Sequence, residues 1–189
     1  MGHISSFDLA SREYRPAKVR TLFIAEAPPA YDSRRFFYFT DLRQQDTLFL
    51  EMMKSLYPLE VGFSGNQFKD GFSSNAIRLR KSELLNRFRS DGFYLIDACE
   101  RPMPDGANTT LKTALMQNVL VALKTRVRRL CSAETLGVVL IGAVTYDVCA
   151  DALRTDGVKI LNKTAINHPA RGGQVPFRAK LRAALDAPS

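Results

Sequence analysis

Along the chain, short continuous apolar runs alternate with stretches in which apolar residues recur every three or four positions. Residues 19–25 (VRTLFIA), 93–98 (FYLIDA) and 136–142 (LGVVLIG) are the clearest runs, and 158–166 is a weaker fourth. Their length and β-branched content predict strands. The nearly unbroken apolar character of 136–142 predicts one covered on both faces. The first run ends at Pro28-Pro29, and the second follows the turn signal Asp91-Gly92.

The intervening stretches carry helical spacing. Residues 41–56 place Leu42, Leu48, Phe49, Met52 and Met53 on one face, and 108–130 do the same with Leu111, Leu115, Val119 and Leu123. A short helix with Ser82 as N-cap, a helix over 145–153 and a last one over 176–185, with Pro176 in its first turn, complete the set. The Gly/Ser/Asn-rich segment 62–75 reads as a surface excursion.

Strands alternating with helices predict an α/β fold: a three-layer α/β/α arrangement with a central four-stranded, mostly parallel sheet. No composition shift or linker divides the chain, so residues 1–189 read as one domain. In such folds ligands bind beyond the carboxyl ends of the strands. Those ends deliver Glu26, Asp97, Gly142 and the segment from Asn167 to Gln174 to one rim.

Charge sharpens the picture. Lys and Arg outnumber Asp and Glu by 27 to 19, a formal net charge of +8, which favours a polyanionic partner through counterion release and steering. No stretch reaches the roughly 20 apolar residues needed to span a bilayer. Charges from Asp8 to Lys18 interrupt the N-terminal region. These features predict a cytoplasmic protein with no membrane partner. Cys99, Cys131 and Cys149 are too widely spaced for a thiolate metal or iron–sulfur motif, and with only His3 and His168 available no metal or cofactor is implied.

Four segments on the rim can carry chemistry. Glu26 sits in the stiff loop Ala25-Glu26-Ala27-Pro28-Pro29, where a carboxylate orients water or serves as a surface ion pair. The run Phe36-Phe37-Tyr38-Phe39, preceded by Arg34 and Arg35, is either core or a face on which a base stacks. Asp97 ends an apolar strand, and either caps a loop or reads the edge of a base. His168 lies in Asn167-His168-Pro169-Ala170-Arg171-Gly172-Gly173-Gln174, an extended segment whose glycines allow close approach to a ligand.

Taken in order, these segments resemble the uracil-DNA glycosylase superfamily. Ala25-Glu26-Ala27-Pro28 is similar to its first motif and His168-Pro169-Ala170 to its second. Leu140-Ile141-Gly142-Ala143 is similar to its third-strand signature, so that the resemblance spans residues 19–186. It implies hydrolysis of the N-glycosidic bond of a flipped, deaminated base, uracil or a relative, in DNA. It implies His168 and Glu26 as catalytic residues, with Phe39, or else Phe37, stacking on the base. Asp97, Ala27 and Pro28 would also contact the base, and Arg171, Gln174, Gly172 and Gly173 the phosphate backbone. A monomer acting on DNA in the cytoplasm, on the nucleoid if bacterial, follows from the same resemblance. Ala27 stands where efficient members carry a water-activating Asp, Pro29 where a Tyr or Gly guards the pocket, and Asp97 where many carry an Asn. The residues therefore leave open a nucleic-acid-binding protein with slow or no catalysis, and a hydrolase or transferase acting on free nucleosides.

Overall fold

A computed structural model describes residues 5–31, 33, 35–41, 45–170 and 172–186. Its elements run α1 (Ser6–Glu13), β1 (Thr21–Ala25), α2 (Thr47–Leu56), β2 (Phe63–Ser64), β3 (Gln67–Phe68), α3 (Ser74–Leu79), α4 (Lys81–Ser90), β4 (Phe93–Asp97), α5 (Thr109–Leu130), β5 (Gly137–Leu140), α6 (Ala143–Thr155) and α7 (Gln174–Leu185). The protein is a mixed α/β structure built on a parallel three-stranded sheet flanked by helices.

The strand order is β4-β1-β5. β1 is central, and all five of its residues are buried, which explains its apolar run from Leu22 to Ala25. Thr21 pairs with Phe93 and Gly137, and the register carries Ala25 to Asp97. Pairing continues past the strands, because the Ala98 amide donates to the Ala25 carbonyl and the Cys99 amide to that of Glu26. The two loops that leave this edge are thereby held side by side.

The expected fourth strand is corrected. The 158–166 run meets β5 only through isolated parallel bridges, Val138 with Ile160 and Ile141 with Ile166. Between them, the Asn162 side chain takes over the edge: its amide oxygen accepts from the Leu140 N–H, and its nitrogen donates to the Leu140 and Thr164 carbonyls. A side chain standing in for the ladder breaks the regular pairing.

Other expectations shift in detail. The 41–56 helix begins at Thr47, with Asp46 as its N-cap, and Leu42 lies outside the described residues. Ser82 is inside α4 rather than its cap, while Asn108 caps α5 by accepting from the Leu111 N–H at 2.9 Å. The 62–75 excursion contains the small antiparallel hairpin of β2 and β3 and the start of α3. Helix packing pairs α2 with α7 and α5 with α6. Among the described residues, no helix is long and apolar enough to cross a membrane.

Candidate active site

β1 ends where its chain turns at Glu26, and the loop that follows is fixed from the far side by the aromatic run. A turn closed by the Phe39 amide on the Phe36 carbonyl places successive rings on different sides. Tyr38 is buried, and its hydroxyl donates to the Leu95 carbonyl and accepts from the Leu95 amide. Leu95 lies on edge strand β4, so these backbone groups point away from β1, and the phenol satisfies both. Phe37 packs against Phe49 and Phe88 in the core.

A cavity of about 610 Å³ opens at the carboxyl edge of the sheet. Glu26, Ala27, Phe37, Asp97 and His168 all line it. Five residues singled out from distant parts of the sequence are thus brought to one surface, and Phe36 and Arg35 join them.

Other expectations are corrected. Phe39 is not part of this wall: the turn sends its ring outward to stack on Phe7 of α1, with Phe36 edge-on to it. Phe37, the alternative to it, lines the cavity. Pro28 is buried and faces a neighbouring cleft instead. Gly172, Gly173 and Gln174 lie beyond the cavity lining, at the entry to α7, and Arg171 and Arg34 are outside the described residues. Gly173 has a local role, since a Cβ there would come within 3.1 Å of the His168 carbonyl and 3.2 Å of that of Ala170. Its absence lets the chain fold back over the histidine before the helix begins.

Two cavity residues had no place in the expectations. Lys112, in the first turns of α5, directs its Nζ to within 2.6 Å of Glu26 Oε1. Nothing in the spacing of α5 distinguishes it from an ordinary solvent-facing lysine. Asp46 is buried on the cavity wall, held by Arg78 at 2.8 Å and by Lys81 at 3.6 Å. Lys81 is itself only 1% exposed and lies over the Phe49 ring, and burial lowers its pKa to about 8. An aspartate directly before Thr47-Leu48-Phe49-Leu50 is a helix-start signal that would have separated Asp46 from the helix interior.

The electrostatics divide the wall into two parts. His168 sits at the exposed mouth, where loss of water around the imidazole holds its pKa below the ordinary value. The Glu26 carboxylate opposes that shift and the Lys112 ammonium adds to it. A neutral imidazole at neutral pH is the result. It has one N–H to donate and no charge to lose.

Asp97 is different. Burial pushes its carboxyl up to about 7, against the pull of the nearby Arg126 guanidinium. Arg126 is committed to the backbone: its Nη2 donates to the Asp97 and Ala98 carbonyls at 2.5 and 3.0 Å, and its Nη1 to Glu100. The Asp97 carboxyl has no hydrogen-bond partner among the described residues. Near neutrality it is divided between a donor and an acceptor form, facing a space that a ligand can enter.

Among the described residues no group of three or more His, Cys, Asp or Glu side chains is arranged to hold a metal ion. The cavity as it stands offers a neutral donor, an ion-paired carboxylate, an adaptable carboxyl group and a ring. No protein-family model, curated protein or solved structure matches this chain.

Proposed function

We propose that this protein is an N-glycosyl hydrolase acting on a base flipped out of DNA, as the resemblance to the uracil-DNA glycosylase superfamily implies. One observation carries it. Glu26, Phe37, Asp97 and His168, from four separate segments, line a single cavity large enough for a nucleobase at the carboxyl edge of a parallel sheet.

In this reading the flipped base lies against Phe37, and Asp97 hydrogen-bonds its edge, donating or accepting as the base requires. As the C1′–N bond breaks, the electron pair stays on the base, and negative charge develops on its exocyclic oxygen. The neutral His168 imidazole donates a hydrogen bond to that oxygen as the charge develops. Water adds to C1′, and its proton passes to solvent or to Glu26, leaving a free base and an abasic sugar. The reading carries with it a monomeric, cytoplasmic or nucleoid-bound enzyme, and a three-layer frame of helices on both faces of the sheet.

The second reading, a DNA-binding protein with slow or no hydrolysis, is favoured by the Lys112–Glu26 contact. A carboxylate oxygen held 2.6 Å from an ammonium is already engaged and less available to orient water, and Ala27 supplies no other.

The test is a panel of oligonucleotides carrying uracil, hypoxanthine or xanthine, scored for alkali-labile sites. Cleavage by the wild type that falls about 100-fold or more in His168→Ala supports hydrolysis, by the magnitude usual for one missing donor. Binding without cleavage of any member supports the second reading and overturns the first.

A further inference from the structure

A second cavity, of about 340 Å³, lies between α1, the Pro28 loop and α5. It is separated from the base cavity by a shared wall of Phe36, Leu95 and Asp97. Four arginines line it: Arg12 and Arg15 at the end of α1, and Arg126 and Arg129 on α5.

What distinguishes this cleft is which of its charges are already used. Its acids are engaged or close to neutral. Asp8 forms the capping box of α1 with Ser5, Glu100 pairs with Arg126, and Asp97 is the carboxyl that burial holds near neutral. Arg126 is spent on Glu100 and on two carbonyls. Arg12, Arg15 and Arg129 are exposed, and their guanidinium groups have no hydrogen-bond or ion-pair partner among the described residues. The Ser11 hydroxyl in the same lining is committed to the Asp8 carbonyl. Three uncommitted forks converging on one concavity, from α1, the segment just after it and α5, make a recognition surface for an anion with several acceptor oxygens.

We propose that this cleft binds a backbone phosphate of the nucleic acid whose base occupies the adjoining cavity, with Arg12, Arg15 and Arg129 as its ligands. The inference rests on the nucleic-acid part of the proposed function and is independent of its chemistry, because a non-hydrolytic binder needs the same phosphate anchor. The shared wall gives the phosphate its meaning. An anion held on the far side of Phe36 and Asp97 anchors the strand beside the base pocket, so that extrusion is directed into it.

The experiment measures binding of an undamaged, fluorescently labelled single strand and its duplex by anisotropy over a range of salt concentrations. It compares the wild type with Arg12→Gln/Arg15→Gln/Arg129→Gln. A control triple, Arg20→Gln/Lys69→Gln/Lys159→Gln, removes the same charge from exposed positions outside both cavities. Each phosphate that the protein no longer neutralises lowers the slope of log K against log salt by about 0.7 on a single strand or 0.9 on a duplex. The expected result is a fall of at least one such step for the cleft triple, and no step for the control. Equal falls in both triples, or none in either, overturn the proposal. A third arm titrates inorganic phosphate and a nucleoside monophosphate by calorimetry. Arginine-dependent binding of these, with oligonucleotide affinity unchanged in the cleft triple, overturns the backbone assignment and assigns the cleft to a free phosphate ligand. Because undamaged DNA is the probe, failure of the hydrolase reading leaves this outcome unaffected.

Discussion

Lys112 Nζ lies 2.6 Å from Glu26 Oε1, and both groups act on the imidazole of His168 across the same cavity. The ion pair is half-exposed, so its contribution to stability is small. Its effect on the histidine is the more telling quantity, because the two partners pull in opposite directions. Removing the ammonium in Lys112→Met raises the His168 pKa, and removing the carboxylate in Glu26→Gln lowers it further. Proton NMR titration of the imidazole, with His3 as an internal reference, reads both shifts. Movement in the same direction in the two variants would show that the three groups do not share one field.

The Tyr38–Leu95 clamp predicts a loss of stability larger than one neutral hydrogen bond. Tyr38→Phe leaves both an N–H and a C=O of edge strand β4 without their partner, in a buried setting. Stranding buried backbone groups costs about 1–3 kcal/mol, against roughly 1 for a bond exchanged with water. Urea denaturation measures the difference, and a change below about 0.5 kcal/mol, within the ordinary scatter of surface substitutions, would mean that water enters and replaces the phenol.

Phe37 and Phe39 separate the base-stacking role from core packing. Both rings pack on aromatic neighbours, but only Phe37 also faces the cavity at the carboxyl edge of the sheet. Phe37→Leu is expected to weaken binding of an oligonucleotide with an extruded base by about 5- to 150-fold, in line with roughly 1–3 kcal/mol for a stacked base. Phe39→Leu is expected to leave that binding within about 3-fold, since its ring packs on α1. Equal effects, after correction for stability measured in parallel, would exclude Phe37 from base stacking.

These contrasts mark where the sequence was legible. Strands β1, β4 and β5 were readable because burial on both faces selects unbroken apolar runs, and their common direction brought Glu26, Asp97 and His168 to one edge. Phe39 was misplaced because distance along a chain does not specify on which side of a turn a ring emerges. The 158–166 run looked like a strand because its apolar residues pack on the core, Ile166 buried and Val158, Ile160 and Leu161 partly so, yet Asn162 replaces the ladder there through its side chain. Lys112, Arg12 and Arg15 gave no signal of a site, and Arg129 gave one only as part of the basic run from Lys124 to Arg129. A lysine reaching into a site and one reaching into water have the same spacing on an amphipathic helix. Only packing between α1 and α5, elements more than 90 residues apart, creates the arginine cluster.

Asp97 carries the pH dependence. Its folded pKa of about 7 lies above that of an unfolded aspartate, near 3.8, so the folded state binds the proton more tightly than the unfolded chain does. Stability contributed by this group is full below pH 4 and declines as pH rises toward 7. Above that the penalty for burying the ionised carboxylate is constant. Asp97→Asn removes the penalty, since a neutral amide fills the same place. The variant should therefore match the wild type near pH 4 and exceed it at pH 8, by an amount on the order of 1–4 kcal/mol at about 1.4 kcal/mol for each unit between the two pKa values. Denaturant midpoints at the two pH values decide it, and a variant no more stable at pH 8 would place the carboxyl in water. The same substitution fixes the group as an amide, ending its exchange between donor and acceptor. In the base-reading role this shifts preference among the lesion oligonucleotides toward uracil and flattens its pH dependence near 7, whereas an unchanged preference would exclude Asp97 from base recognition.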